Sequence, residues 1–76
     1  MTHQMPTKLA IEAARRNLEA IVSFGLEDTS GPSGAWRFHA HSANVSLRVL
    51  REAKQQLPAA VVANQRHLEV LGWRFA

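Results

Sequence analysis

"GAWRFHAH" (residues 34–41) and "GWRFA" (residues 72–76) decide how the chain reads, because both set Trp-Arg-Phe shortly after a glycine. In the first, Trp36, Phe38 and Ala40 alternate with Arg37, His39 and His41. That is the period of a short, half-buried strand. Trp73, Arg74 and Phe75 alternate in the same way. A lone strand leaves its backbone N–H and C=O groups unpaired, so the two pieces are expected to pair as a two-stranded ribbon. Both indoles and both phenyl rings would then face inward, with Arg37 and Arg74 facing out. A second arrangement leaves Trp73–Ala76 as an irregular tail that packs Trp73 onto the helices.

The rest of the chain is patterned for helices. Residues 1–6 read as a loose lead-in, with Pro6 suited to a first helical turn and Thr7 able to cap a helix that starts one step later. From there to Phe24, the residues Ile11, Ala14, Leu18, Ile21 and Val22 share one stripe, and Glu12, Arg15, Arg16 and Glu19 the other. "FGL" (residues 24–26) predicts a stop, with Gly25 left-handed and Leu26 folded back on Ile21. Residues 27–35 (EDTSGPSGA) predict a flexible loop, longer than most connections. A second helix, capped by Ser42 or Asn44, is expected to reach about Leu57, burying Ala43, Leu47, Leu50, Ala53 and Leu57. Pro58 stops it or opens a third helix over 59–71. There Val61, Leu68 and Leu71 share a face, while Val62 and Val70 fall off it. "LGW" (residues 71–73) predicts a second glycine stop, with Trp73 near Leu68. The expected fold is α+β and mainly α, in the order helix, strand, helix, helix, strand.

Composition bounds this picture. A 76-residue chain with 46% hydrophobic and 20% charged residues reads as one small globular domain over 1–76, not as a disordered segment. Such a domain buries only roughly 60% of the surface its unfolded chain exposes, so its stability is expected to be a few kcal/mol. With no cysteine, neither a disulfide framework nor a thiolate zinc site can form, which suits a reducing, cytoplasmic setting. No apolar run approaches the roughly 20 residues needed to span a bilayer. The formal net charge is +3, and arginine outnumbers lysine seven to two. That balance allows nucleic acid or an acidic protein surface as partner.

Catalytic constellations are missing. The serines lie in a Gly/Pro loop or at helix starts, without the turn that exposes a nucleophilic serine. No carboxylate pair has an apolar setting that would separate its pKa values. "GPSG" (residues 31–34) lacks the lysine of a phosphate loop. At strand spacing His39 and His41 leave one face, as metal ligands could, but the further ligands would have to come from His3, His67 or a carboxylate. Two solvent-facing histidines is the simpler reading. No enzyme, metal or cofactor is expected.

Two surfaces have a better claim. Asn44, Arg48, Arg51 and Gln55 step by four, three and four, so they share an exposed stripe with the side chains that read bases or grip phosphates. Val62 and Val70 form an apolar patch off the core face, near Arg66 and Arg74. The element order, the short strand after helix one and the "HLEVLGW" run (residues 67–73) resemble winged-helix DNA-binding domains. That resemblance implies a third helix placing Asn64, Gln65, Arg66 and His67 in a major groove. The leading expectation is a small non-enzymatic regulator, of phage or plasmid type. It would occupy a surface of a larger host protein, RNA polymerase or a transcription factor, through Val62, Val70, Arg66, Arg74, Arg37 and Trp73. A DNA-binding regulator using helix 42–57 or 59–71 is the alternative, and a homodimer is compatible with either.

Overall fold

The structure is a computed structural model and describes residues 5–27 and 39–75. Among these residues there are four helices and no strand. They are α1 (Lys8–Glu27), α2 (Ala40–Glu52), α3 (Ala59–Ala63) and α4 (Gln65–Val70). No helix among the described residues is long and apolar enough to cross a membrane.

Thr7 opens α1 as expected of a cap. Its hydroxyl accepts the Ala10 N–H at 3.1 Å, and its carbonyl accepts the Ile11 N–H at 3.0 Å. The helix buries Ala14, Leu18, Ile21 and Val22, with Ile11 half-buried beside them. It does not stop at Gly25 but continues to Glu27. A glycine licenses a left-handed stop without compelling one, and within a helix it costs only about 1 kcal/mol relative to alanine. Of the loop expected over 27–35, Glu27 belongs to α1, and the rest lies outside the described residues, as do residues 36–38.

The two-stranded ribbon is absent among the described residues. Trp36, Arg37 and Phe38 lie outside them, but His39 is the N-cap of α2, and Ala40 and His41 belong to its first turn. Ala40, Ala43, Leu47 and Leu50 recur at steps of three, four and three, all in or against the core. This helical period over eleven residues outweighs a six-residue alternation. The helix accordingly starts before Ser42 and Asn44, and neither caps it. Residues 73–75 are an irregular tail, the second of the two arrangements expected for them. Trp73 is 2% exposed and stacks beside Phe75, with ring centroids 6.4 Å apart.

The tail binds part of its backbone without a partner strand. Asn44 on α2 donates from Nδ2 to the Gly72 carbonyl at 3.0 Å, and its Oδ1 accepts the Arg74 N–H at 2.7 Å. One side-chain amide thus supplies the donor and the acceptor that a neighbouring strand would have offered.

Helix α2 also ends sooner than expected, at Glu52 rather than Leu57. Lys54 turns left-handed at φ 56°, so its N–H reaches the Arg51 carbonyl (3.1 Å) and the Gln55 N–H reaches Leu50 (2.9 Å). These are the two bonds of a Schellman stop, made here without glycine. Arg15 of α1 holds the segment beyond, donating to the Gln56 carbonyl at 3.1 Å and to Gln55 Oε1 at 3.4 Å. Pro58 is the N-cap of α3, and it biases Leu57 away from helical geometry.

The single third helix expected over 59–71 is two short ones. Asn64, at φ −112° and ψ 12°, separates them, and its Nδ2 donates back to the Ala60 carbonyl at 2.8 Å. Such local side-chain bonds compete with helix continuation. The core joins α1, α2, Val61, Leu68, Leu71 and Trp73. Leu18, Leu50, Leu68, Val22 and Val61 are fully buried, each contributing about 1.5–3 kcal/mol. The main polar link between α1 and α2 is Asn17, whose Nδ2 donates to Ser46 Oγ (2.8 Å) and Ser42 Oγ (3.0 Å), so Ser46 is buried with its hydroxyl satisfied.

Candidate functional site

The exposed side of α2 and the tail enclose a shallow concavity of about 330 Å³, lined by His41, Asn44, Val45, Arg48, Arg51 and Arg74. Its origin is local. Positions 41, 44, 45, 48 and 51 follow one helical stripe, opposite the buried Ala43, Leu47 and Leu50. Arg74 comes from elsewhere in the chain. The Gly72 turn redirects the backbone after α4, burial of Trp73 anchors it, and Asn44 binds the Arg74 N–H, so Arg74 reaches the concavity beside the two α2 arginines.

Electrostatically the site is one-sided. Among the described residues, three guanidinium groups line it and no carboxylate does. None of the three makes a hydrogen bond or ion pair with another described residue. Arginine carries five N–H donors in a planar fork and stays charged at any physiological pH. Val45, 46% exposed, supplies an apolar portion of the lining.

Three of the four residues of the stripe read from the sequence, Asn44, Arg48 and Arg51, line the concavity. Arg48 and Arg51 are exposed and adjacent. Asn44 is occupied by the tail backbone, and so is unavailable to read an adenine edge. Gln55 lies beyond the end of α2 and is tied to Arg15 and to the Ala53 carbonyl. His41, Val45 and Arg74 complete the lining. Nothing in the local pattern of α2 signals Arg74; its placement depends on a contact 30 residues apart in sequence.

The apolar set is divided as well. Val62 and Val70 are 54% and 79% exposed, as expected of residues off the core face. Val62 shares an open depression of about 440 Å³ with Ala63, Gln65, Arg66 and Glu69. Val70 lines neither depression, Arg74 belongs to the other, and Trp73 is a core residue with no surface to offer. Arg37 lies outside the described residues.

His39 and His41 do not form a strand-face pair. His39 caps α2 and meets Phe24 edge-on at 5.8 Å, while His41 is exposed at the basic concavity. No group of three or more His, Asp or Glu side chains among the described residues is placed to hold a metal ion. The winged-helix resemblance loses its basis too, because strands are absent among the described residues and helix 59–71 is broken at Asn64. Asn64 and Gln65 are also engaged within the chain, Gln65 Nε2 donating to Glu69 Oε1 at 3.2 Å. Comparison with known proteins finds no family, no curated protein and no solved structure that the chain matches.

Proposed function

We propose that the protein is a small non-enzymatic regulator that acts by occupying an anionic surface of a larger partner. The observation that carries this reading is the convergence of Arg48, Arg51 and Arg74 on one concavity that no carboxylate among the described residues lines. Uncompensated like charges repel one another, and a complementary surface relieves that repulsion while steering the encounter. Arginine beside exposed apolar surface is also a favoured interface anchor. A host transcription complex exposes acidic protein and nucleic acid together, which makes RNA polymerase or a transcription factor the first partner to test for a phage- or plasmid-type regulator.

Capture from host lysate tests the reading. The wild-type protein is expected to retain such an assembly, and the R48A/R51A variant to release it. Retention by the double variant would remove the basic face from the function. A second reading, protein docking through the α3–α4 side, rests on the exposure of Val62 and Val70. It predicts instead that capture survives R48A/R51A and nuclease but fails in V62D/V70D.

A further inference from the structure

We infer that the basic concavity is a phosphate-backbone site, that its ligand is a nucleic-acid strand bound without regard to sequence, and that Asn44 is the positioning residue that completes it. The inference rests on the reading of this face as the binding surface, and adds the chemistry of what is bound.

Of three features, the first and the last favour phosphodiester oxygens over protein carboxylates, and the second suits both. The first is charge density. Among the described residues, three cations and no anion line one small depression, and a nucleic-acid strand presents a charge at every residue, about 3.4 Å apart along a duplex strand. An acidic protein surface intersperses its carboxylates with neutral and basic groups. The second is the choice of cation. Three of the seven arginines line the concavity, and neither lysine does. The arginine fork matches phosphate and carboxylate oxygens alike in a bidentate manner, so this feature suits the assignment without deciding it. The third is shape. A depression of about 330 Å³ with an apolar residue, Val45, in its lining has room for a phosphate together with part of its sugar.

The hydrogen bonds remove amide readout of adenine, and sequence independence further requires that the arginines grip phosphates rather than guanine edges, which the two-sequence titration below tests. Among the lining residues, the only side-chain amide able to read an adenine edge is that of Asn44. Both ends of that amide are spent on the tail, on the Gly72 carbonyl and the Arg74 N–H. Asn44 therefore acts through Arg74. It fixes the tail backbone on either side of the buried Trp73 and so holds the third guanidinium next to the two on α2. Phosphate contacts of this kind set position without carrying sequence information.

The experiment titrates the intact protein with 12-nucleotide DNA, single-stranded and duplex, in two unrelated sequences, and with polyglutamate of matched length. Binding is followed by fluorescence anisotropy and by backbone NMR shifts. DNA of either sequence is expected to bind equally, to shift residues 41–51 and 74, and to show a log–log salt slope of about 2–3 for three phosphates. R74A should lower that slope by about 1. N44A should lower it equally, and N44A/R74A should be no weaker than R74A alone, since both remove one contact. A purely structural role for Asn44 would make the two losses additive. The Trp73 indole resonance and the helical circular dichroism report whether N44A remains folded; R74A tests the site where it does not. Equal or tighter binding of polyglutamate, or absence of binding to either form of DNA, overturns the phosphate assignment. Failure here alongside arginine-dependent capture of a host assembly would leave the regulator reading standing and refute only the nucleic-acid ligand.

Discussion

Helices α2 and α4 end in the same pair of hydrogen bonds built from different residues. After α4, Gly72 (φ 105°) donates to the Glu69 carbonyl at 3.1 Å and Trp73 to Leu68 at 3.0 Å. After α2, Lys54 (φ 56°) and Gln55 make the equivalent bonds to Arg51 and Leu50. The first stop uses the residue with no side chain to obstruct it, followed by an indole buried in the core. The second places a lysine where L-residues are disfavoured, followed by an exposed glutamine. A Schellman stop is thus selected by what the next segment can bury or bind, and glycine only lowers its cost. The two stops also shape the basic face. One removes Gln55 from the α2 stripe, and the other brings Arg74 to it.

The anchor at the first stop should matter more than its glycine. Trp73→Ala would empty a core position, a loss of about 3–5 kcal/mol for a buried aromatic residue. In a domain of this size that is comparable to the whole stability, so helical circular dichroism at 25 °C should collapse. A well-folded variant would show that the turn stands without its anchor. Gly72→Ala should cost less, about 1–2 kcal/mol in urea unfolding. A Cβ there would lie 3.9 Å from the Ala40 Cβ, an ordinary contact, so the penalty is conformational rather than steric crowding between helices. An unchanged midpoint would contradict the left-handed geometry.

The difference between the stops also explains how far the sequence could be read. Ile11, Ala14, Leu18, Ile21 and Val22 were legible because a long amphipathic period has few alternatives, and so were Ala43, Leu47 and Leu50. "LGW" was legible because glycine and the following apolar residue both point to a stop, whereas "FGL" carries the same signature and α1 runs through it. The Lys54 stop has no local signature at all. It is held by Arg15, forty residues or so away in sequence, and by Pro58 beyond it. The strand reading of residues 39–41 failed because alternation over six residues is weaker evidence than helical spacing continued into the next ten. Of the candidate site, Arg48 and Arg51 were visible as neighbours on one helix face. Arg74 joined them only through Asn44, whose hydrogen bonds to the tail replace those of a strand the sequence seemed to require.

Lys54→Gly sharpens the contrast from the other side. Relief of the left-handed lysine is worth about 1–2 kcal/mol, offset by about 0.5–1 kcal/mol for the greater freedom of glycine in the unfolded chain. A net gain of up to about 1.5 kcal/mol is expected, read as a raised urea midpoint with an unchanged slope. A loss of stability would mean that the lysine side chain contributes to the turn beyond its backbone.

The smallest effect is expected at Gln55→Ala. Its side chain is exposed, and its bonds to Arg15 and the Ala53 carbonyl are both long, at 3.4 Å. Exposed substitutions of this kind usually stay within about 0.5 kcal/mol. Gln55 does not line the basic concavity, although it shares a neighbouring depression with Arg51, so on the proposed phosphate site DNA affinity should not change either, in contrast to R48A and R51A. A loss of affinity equal to theirs would place Gln55 back on the binding face. The stop at Lys54 would then be a joint that re-forms helix when the ligand is bound, rather than a fixed end of α2.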